Sequence, residues 1–214
     1  MTAIRPPEYF PRLEYCALVL AAERFVIADT FPFSRQSWHN RTKIRTPDEQ
    51  GWQWLTVPRK HGARTKALNV VELDDSSSWA RTHQRALNVN YSMAPFYEQF
   101  GDEIEALLSH TYSSLGAVTA AMLKWVHEKI NGPSELIVAS ELPGAPNTLK
   151  GVWEALGRFE TLITLPESAD RDARSLPGAN VETFHFTEQP RAQNFPGFVP
   201  GLSVLDMLFN QGSR

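Results

Sequence analysis

The densest chemistry in the sequence is the run Trp38-His39-Asn40-Arg41-Thr42-Lys43-Ile44-Arg45. Read as a strand, its period of two puts Arg41, Lys43 and Arg45 on one face and Thr42 and Ile44 on the other. Three cations sharing a face bind an anion such as phosphate or carboxylate, and arginine does so with two parallel hydrogen bonds. Trp38, Trp52 and Trp54 are close in sequence and offer flat surfaces for a sugar or a base. The competing reading is a solvated basic face on an exposed hairpin, with the tryptophans in the core. A second candidate is Asp29, which ends the β-rich stretch Arg24 to Ala28. In α/β sheets ligands gather at the carboxyl ends of parallel strands, where a carboxylate orients a substrate or acts as a base. As a turn or capping residue it would look the same.

Several chemistries are absent. There is no GxxxxGK[ST], no GxGxxG after a strand, no GxSxG and no HExxH. The six histidines, His39, His61, His83, His110, His127 and His185, lack metal-ligand spacing, so no metal is expected and the residues name no cofactor. The single cysteine, Cys16, sits in the apolar stretch Tyr15 to Ala22 and reads as a buried, inert thiol.

These residues need a scaffold, and 214 residues supply one large domain, or one domain with a long insertion. Hydrophobic residues at 42% and charged residues at 21% exclude global disorder. The net charge of −3 and pI near 6.1 argue against a nucleic-acid partner. Charge is unevenly spread: Arg35 to Lys66 holds eight basic residues against Asp48 and Glu49, a net of +6, leaving −9 elsewhere. The longest apolar stretch falls far short of the ~20 residues of a membrane helix, and Met1 to Pro11 has no signal-peptide layout. A cytoplasmic protein without a membrane partner is expected.

The elements follow from periodicity. Thr2 to Ile4 reads as a strand, Leu13 to Ala22 as a helix and Arg24 to Ala28 as a strand. A hairpin is expected from the segment closing at Ile44, the turn Thr46 to Gly51 and the strand Trp52 to Val57. A third strand is expected over Ala67 to Leu73, ending at the capping run Asp74-Asp75-Ser76-Ser77-Ser78. Three helices follow, marked by Trp79 to Asn90, by Phe100, Ile104, Leu107 and Leu108, and by Val118, Met122, Trp125 and Val126, with a stop at Asn131-Gly132-Pro133. Glu135 to Ala139, a helix capped by Thr148, and Thr161 to Leu165 imply a parallel pair joined by a right-handed crossover. Val181 to Phe186 adds a strand, and Ser203 caps a terminal helix. The fold class is α/β: a mixed, partly parallel, Rossmann-like sheet with helices on both faces. It is read as one domain over 1–214 with a helical section at about 79–131.

The runs Pro7-Glu8-Tyr9-Phe10-Pro11-Arg12-Leu13-Glu14-Tyr15, Phe25-Val26-Ile27-Ala28-Asp29 and Ser37-Trp38-His39-Asn40-Arg41 carry a resemblance. It continues through Trp52 to Pro58, Trp79, His83, Asn90-Tyr91 and Ala94-Pro95-Phe96, and ends in Phe198 to Asn210. In that order these runs resemble the WbqC-like protein family, whose members occur in bacterial O-antigen and other surface-polysaccharide gene clusters. The resemblance implies a transferase of polysaccharide biosynthesis, with glycine (aminoacyl) transfer to a sugar suggested for some members and acyl transfer as the related chemistry expected here. It points by position to Asp29, Asn40, Arg41, Trp79, His83, Tyr91, Gln193 and Asp206. The chain departs from the family pattern at Pro6 and Pro32, where glutamines are usual, and at Thr30, where an acidic residue is usual. It departs again after Leu165, where Pro166-Glu167-Ser168-Ala169-Asp170-Arg171-Asp172 replaces a Gly-rich segment. Proline supplies neither a side-chain amide nor a backbone donor. The opening strand, proline-bounded loop, helix and strand ending in Asp are also similar to nucleotidylyltransferase-like folds, without their histidine pair.

Two functions are expected from this. In the first, Arg41, Lys43 and Arg45 hold the anionic part of a nucleotide-sugar or activated acyl donor, and His83 or Asp29 is the general base. Against that role, Trp79 and His83 at i, i+4 simply stack on one helix face. In the second, a non-catalytic ligand-binding or assembly protein keeps the fold and has lost the site.

Overall fold

The computed structural model describes the chain apart from Gln36, Arg64, Asp75 and Arg214. Arg64 of the basic segment and Asp75 of the capping run therefore lie outside the described residues. Strand β1 (Thr2–Arg5) stops where Pro6-Pro7 removes two ladder donors, helix α1 (Leu13–Ala21) follows, and β2 (Arg24–Ile27) pairs parallel to β1 from Thr2↔Arg24 to Arg5↔Ile27. The chain then leaves the sheet for the hairpin β3 (Arg41–Arg45) and β4 (Trp52–Thr56) and the helices α2 (Trp79–Tyr91), α3 (Tyr97–Ser109) and α4 (Leu115–Lys129). It returns as β5 (Glu135–Val138), α5 (Leu149–Ala155), β6 (Thr161–Thr164), α6 (Ala169–Ser175) and β7 (Asn180–Thr183), and ends in α7 (Val204–Gln211).

The fold is α/β and Rossmann-like. All five strands of the main sheet are parallel, in the order β5-β2-β1-β6-β7, and the antiparallel β3–β4 ladder forms a separate two-stranded sheet. The parallel pairing expected between β5 and β6 is corrected. Both strands join the sheet, but β2 and β1 lie between them, because β5 takes the free edge of β2 and β6 the free edge of β1. Strand order therefore reverses between β1 and β6, which creates a topological switch point.

Alternation along the strands builds a core on each face. Ala3, Phe25, Ile27 and Ile163 pack with Leu18 and Val19 of α1 and Leu123 of α4, whereas Ile4, Val26 and Leu162 pack with Val152 of α5 and with Leu176. A third core joins the hairpin to α2, α3, α4 and α7 through Ile44, Leu55, Leu87, Phe100, Met122 and Phe209. Helix α1 lies between this core and the sheet: Cys16 faces one and Tyr15, Leu18 and Val19 the other, which is why the helix is apolar nearly all round.

The strand expected over Ala67 to Leu73 is a single 3₁₀ turn, Leu68–Val70, flanked by isolated bridges Pro32↔Ala67 and Arg59↔Leu73. Its backbone is spent elsewhere: Leu68 N and Asn69 N donate to Phe31 O and Asp29 O, and Val71 O accepts from Leu115 N. Helix α4 crosses here at Gly116, where a Cβ would stand 2.8 Å from Asn69 N, so the close approach requires glycine.

Candidate active site in the switch-point cleft

A cleft of about 880 Å³ opens at the carboxyl ends of β1 and β6. This is the position at which open α/β sheets hold their ligands. Its floor is built by Arg5, Pro6, Glu8 and Arg12 from the β1–α1 connection. Glu167, Ser168, Arg171 and Asp172 close one side from the β6–α6 connection, and Asn147 and Thr148 contribute from the start of α5. The loop after β2 supplies Pro32, Ser34, Ser37, Trp38 and His39.

The charged groups are locked in place. The Glu8 carboxylate is buried and accepts from Arg12 N (3.3 Å), Nε (3.3 Å) and Nη2 (2.8 Å). A carboxylate of the chain itself thus occupies the amino end of α1, where nucleotide-binding folds place a phosphate. Burial opposes the charge on Arg12, but Glu8, Glu14 and Glu167 outweigh it and raise its pKa. Arg5 donates to Ser168 Oγ and pairs with Glu167 at 3.1 Å. Asp172 is buried and accepts from Thr164 Oγ1 (2.7 Å) and from Arg171 (3.0 Å). Three arginines and three carboxylates leave the cleft close to neutral, with the rim residues Glu167 and Arg171 the most open of the six.

His39 is the titratable ring of the cleft. Partial burial and the nearby charge of Arg5 push its pKa down to about 4, so it is neutral near pH 7. Ser34 N–H, which can only donate, bonds its Nδ1 at 3.3 Å. The ring proton is therefore assigned to Nε2, leaving His39 a hydrogen-bond donor on its other nitrogen.

Trp38 joins this cleft to the cationic hairpin. Arg12 lies over its ring at 4.7 Å, and its centroid is 5.0 Å from that of Trp54. Lys43 Nζ stands 3.8 Å from the Trp52 centroid and 5.2 Å from that of Trp54, and Arg41 covers Trp54 at 4.1 Å. Burial and the charge of Arg41 lower the Lys43 pKa. The expected ribbon of cations and indoles thus exists as one half-buried layer. Among its members, Trp38 lines the cleft, whereas Arg41, Lys43 and Arg45 do not. Arg45 departs from the expected anion-gripping role. It is buried and donates to Thr46 O (2.8 Å), Gly51 O (2.7 Å) and Pro196 O (2.7 Å), riveting the hairpin turn to the C-terminal segment.

The two residues expected as general bases have other partners. Asp29 is buried and bonds Ser140 N (2.9 Å) and Ser140 Oγ (2.6 Å), tying the end of β2 to the segment after β5. His83 is 3% exposed, with Nδ1 2.8 Å from Tyr9 Oη and Trp79 edge-on at 5.4 Å; burial pushes its pKa down to about 4. Neither lines the cleft, and Asp29, Arg41 and His83 share no partner. Asn40 closes the hairpin by donating to Val57 O at 2.9 Å. Tyr91, Gln193 and Asp206 do meet, in a buried network. Asp206 accepts from Tyr91 Oη (3.2 Å), Arg191 Nη2 (2.8 Å) and Gln193 Nε2 (2.9 Å), and Tyr91 Oη accepts from Arg45 N (2.8 Å). Burial outweighs these donors and raises the Asp206 pKa. The network fastens α2, α7 and the hairpin together and is not part of the cleft.

The model of the WbqC-like protein family matches residues 6–214. The chain belongs to the WbqC-like family. It is also 28% identical to the uncharacterised protein Rv1507c of Mycobacterium tuberculosis (strain ATCC 25618 / H37Rv) over 235 residues, covering 99% of this chain and 94% of that protein. No solved structure matches. Pro6, Pro32 and the segment after Leu165, far apart in sequence, all meet in the cleft. Thr30 is buried and donates to Pro146 O at 2.6 Å.

Sequence reasoning missed Arg5, Glu8, Arg12, His39, Glu167 and Asp172 as cleft residues. Glu8, Arg12 and His39 lie inside the runs that carried the WbqC-like resemblance, so a signal existed. Glu167 and Asp172 lie in the segment after Leu165 that the sequence had already set apart, whereas Arg5 had no signal; strand order alone decides that the ends of β1 and β6 are neighbours. No group of three or more His, Cys, Asp and Glu residues suited to a metal ion occurs among the described residues. None of the described helices is long and apolar enough to cross a membrane.

Proposed function

We propose that the switch-point cleft is the substrate site of a transferase in bacterial surface-polysaccharide (O-antigen) biosynthesis. It moves an aminoacyl (glycyl) or acyl group onto a sugar or nucleotide-sugar. The observation that carries this reading is the convergence in one cleft of Pro6, Pro32 and the segment after Leu165 with Trp38, His39 and the paired arginines. The volume of about 880 Å³ suits a ligand of nucleotide-sugar size. Trp38 offers a stacking wall, and Ser34, Ser37, Asn147 and Thr148 offer short polar groups for sugar hydroxyls.

In the transfer, the bond from acyl carbon to leaving group breaks and the bond to the acceptor oxygen or nitrogen forms, releasing the acceptor's proton. His39, neutral and carrying its proton on Nε2, donates to the acyl oxygen as charge develops there. Glu167, the most open carboxylate of the cleft, takes the proton. These two replace His83 and Asp29, whose hydrogen-bonding atoms are committed inside the fold. Proline at positions 6 and 32 implies a substrate different from that of members with glutamines there.

A second reading, binding without transfer, is favoured by the self-paired carboxylates Glu8 and Asp172. The two are separated by incubating the chain with pairs of nucleotide-sugars and activated acyl or aminoacyl donors and following the sugar by mass spectrometry. Acylated sugar that disappears with His39→Ala supports transfer. A nucleotide-sugar that shifts the Trp38 indole resonance without product supports binding alone. Neither product nor shift overturns the cleft as the substrate site.

A further inference from the structure

The basic segment has a second concave face. Arg35, Asn40, Arg59 and His61, with the backbone around Val57 and Pro58, line a groove of about 400 Å³. The loop that carries Ser34, Ser37, Trp38 and His39 into the cleft turns Arg35 and Asn40 into this groove, so the loop is a shared wall. The wall is an aromatic layer: Arg59 lies 4.5 Å from the Phe33 centroid, and Phe33 meets His39 edge-on at 5.9 Å.

The frame is fixed by backbone pairing. Val57 N donates to Asn40 O at 2.7 Å, Asn40 Nδ2 donates back to Val57 O at 2.9 Å, and Arg59 bridges Leu73. Among the described residues, Arg35, Arg59 and His61 form no ion pair, and no carboxylate lines the groove. On the adjacent segment, Glu72 is paired with Lys60 at 2.6 Å. Asp74 accepts from Ser76 N (3.1 Å) and Oγ (2.6 Å), while lying within electrostatic reach of His61. The contrast with the cleft is direct, because every arginine there already has a carboxylate.

We propose that this groove binds a phosphate-bearing small molecule through Arg35, Arg59 and His61, as a site separate from the switch-point cleft. Two guanidinium forks present more N–H donors than a single carboxylate can accept, whereas a diphosphate has oxygens for both. The groove volume suits a group of that size. The net charge of −9 outside Arg35 to Lys66 repels an extended polyanion, so the site takes a compact one. A nucleotide-sugar and a lipid-linked sugar both present a diphosphate, and that shared chemistry is what the groove reads.

The test is calorimetric titration of the full chain with sodium pyrophosphate at low salt, with backbone and indole NMR to locate the ligand. Saturable binding that weakens with salt is expected, with shifts at Arg35, Arg59 and His61 and none at the Trp38 indole. Losing one arginine should weaken binding on the order of tenfold in Arg35→Ala or Arg59→Ala, and the double variant should lose it. Arg81→Ala, an exposed cation on α2, should bind as the parent does. Arg59→Ala removes the stack on Phe33. Arg35 is exposed and its side chain forms no hydrogen bond or ion pair among the described residues, so Arg35→Ala keeps the test open if the other variant unfolds. Absence of saturable binding up to about 10 mM pyrophosphate overturns the proposal. So do unchanged binding in the double variant and shifts confined to Trp38. None of these results bears on transfer in the cleft.

Discussion

His83 gives the sharpest quantitative expectation, because the structure fixes both of its ring nitrogens. Nδ1 is 2.8 Å from Tyr9 Oη, and the other nitrogen bonds the Thr56 backbone. Burial lowers its pKa from 6.5 to about 4. The unfolded chain therefore binds this proton more tightly than the folded one, and stability is lost as pH falls below the unfolded value towards the folded one. At about 1.36 kcal/mol per unit, the loss between pH 7 and pH 5 is about 2 kcal/mol, a sizeable fraction of a typical domain's stability of about 5–15 kcal/mol. His83→Gln keeps an acceptor for Tyr9 and a donor for Thr56 but does not titrate. Urea unfolding followed by tryptophan fluorescence at both pH values should show the parent losing about 2 kcal/mol more than the variant. His39 acts in the same direction in both proteins and cancels from the comparison. Equal pH dependence in parent and variant, or an NMR titration of His83 near 6.5, would refute the buried, neutral histidine and reopen it as an acid–base group.

Other expectations follow from burial and pairing. Arg12→Ala strands the buried Glu8 carboxylate without its counter-charge and should cost about 3–5 kcal/mol in urea unfolding; a loss below about 1 kcal/mol would count against the pairing as drawn. Asp206→Ala leaves Tyr91 without an acceptor, Gln193 with Val199 O alone and Arg191 with Glu188 alone, so a loss of at least about 3 kcal/mol is expected from the same measurement. Burial pushes the Cys16 thiol well above its ordinary pKa, so a thiol reagent should label it in urea and leave the native protein untouched; rapid native labelling would place it at the surface. Ser203 accepts from Leu205 N and donates to Phe10 O, and Ser203→Ala should lower stability by about 1–2 kcal/mol in thermal unfolding.

The sequence by itself determined the local elements and their order. Alternation in Phe25-Val26-Ile27, the cap at Thr148 and the stop at Asn131-Gly132-Pro133 are short-range signals, each set by backbone geometry within a turn or a strand. It also carried the family, because the runs from Pro7 to Asn210 lie in the right order. Tertiary structure alone decided which of the candidate residues stand in a cavity. Arg45 and Lys43 share a face in the sequence pattern. Yet the Gly51 turn and Pro196, 151 positions away, draw Arg45 into the interior, while Lys43 stays among indoles. The cleft depends on β6 pairing with β1 and not with β5, a choice made by free strand edges and burial across the whole sheet. Backbone preference acts over a few residues, whereas burial and charge compensation act over distance in the folded chain. Helices and strands can therefore be read from neighbouring residues, but the partners of Glu8, Asp29, His39 and His83 cannot.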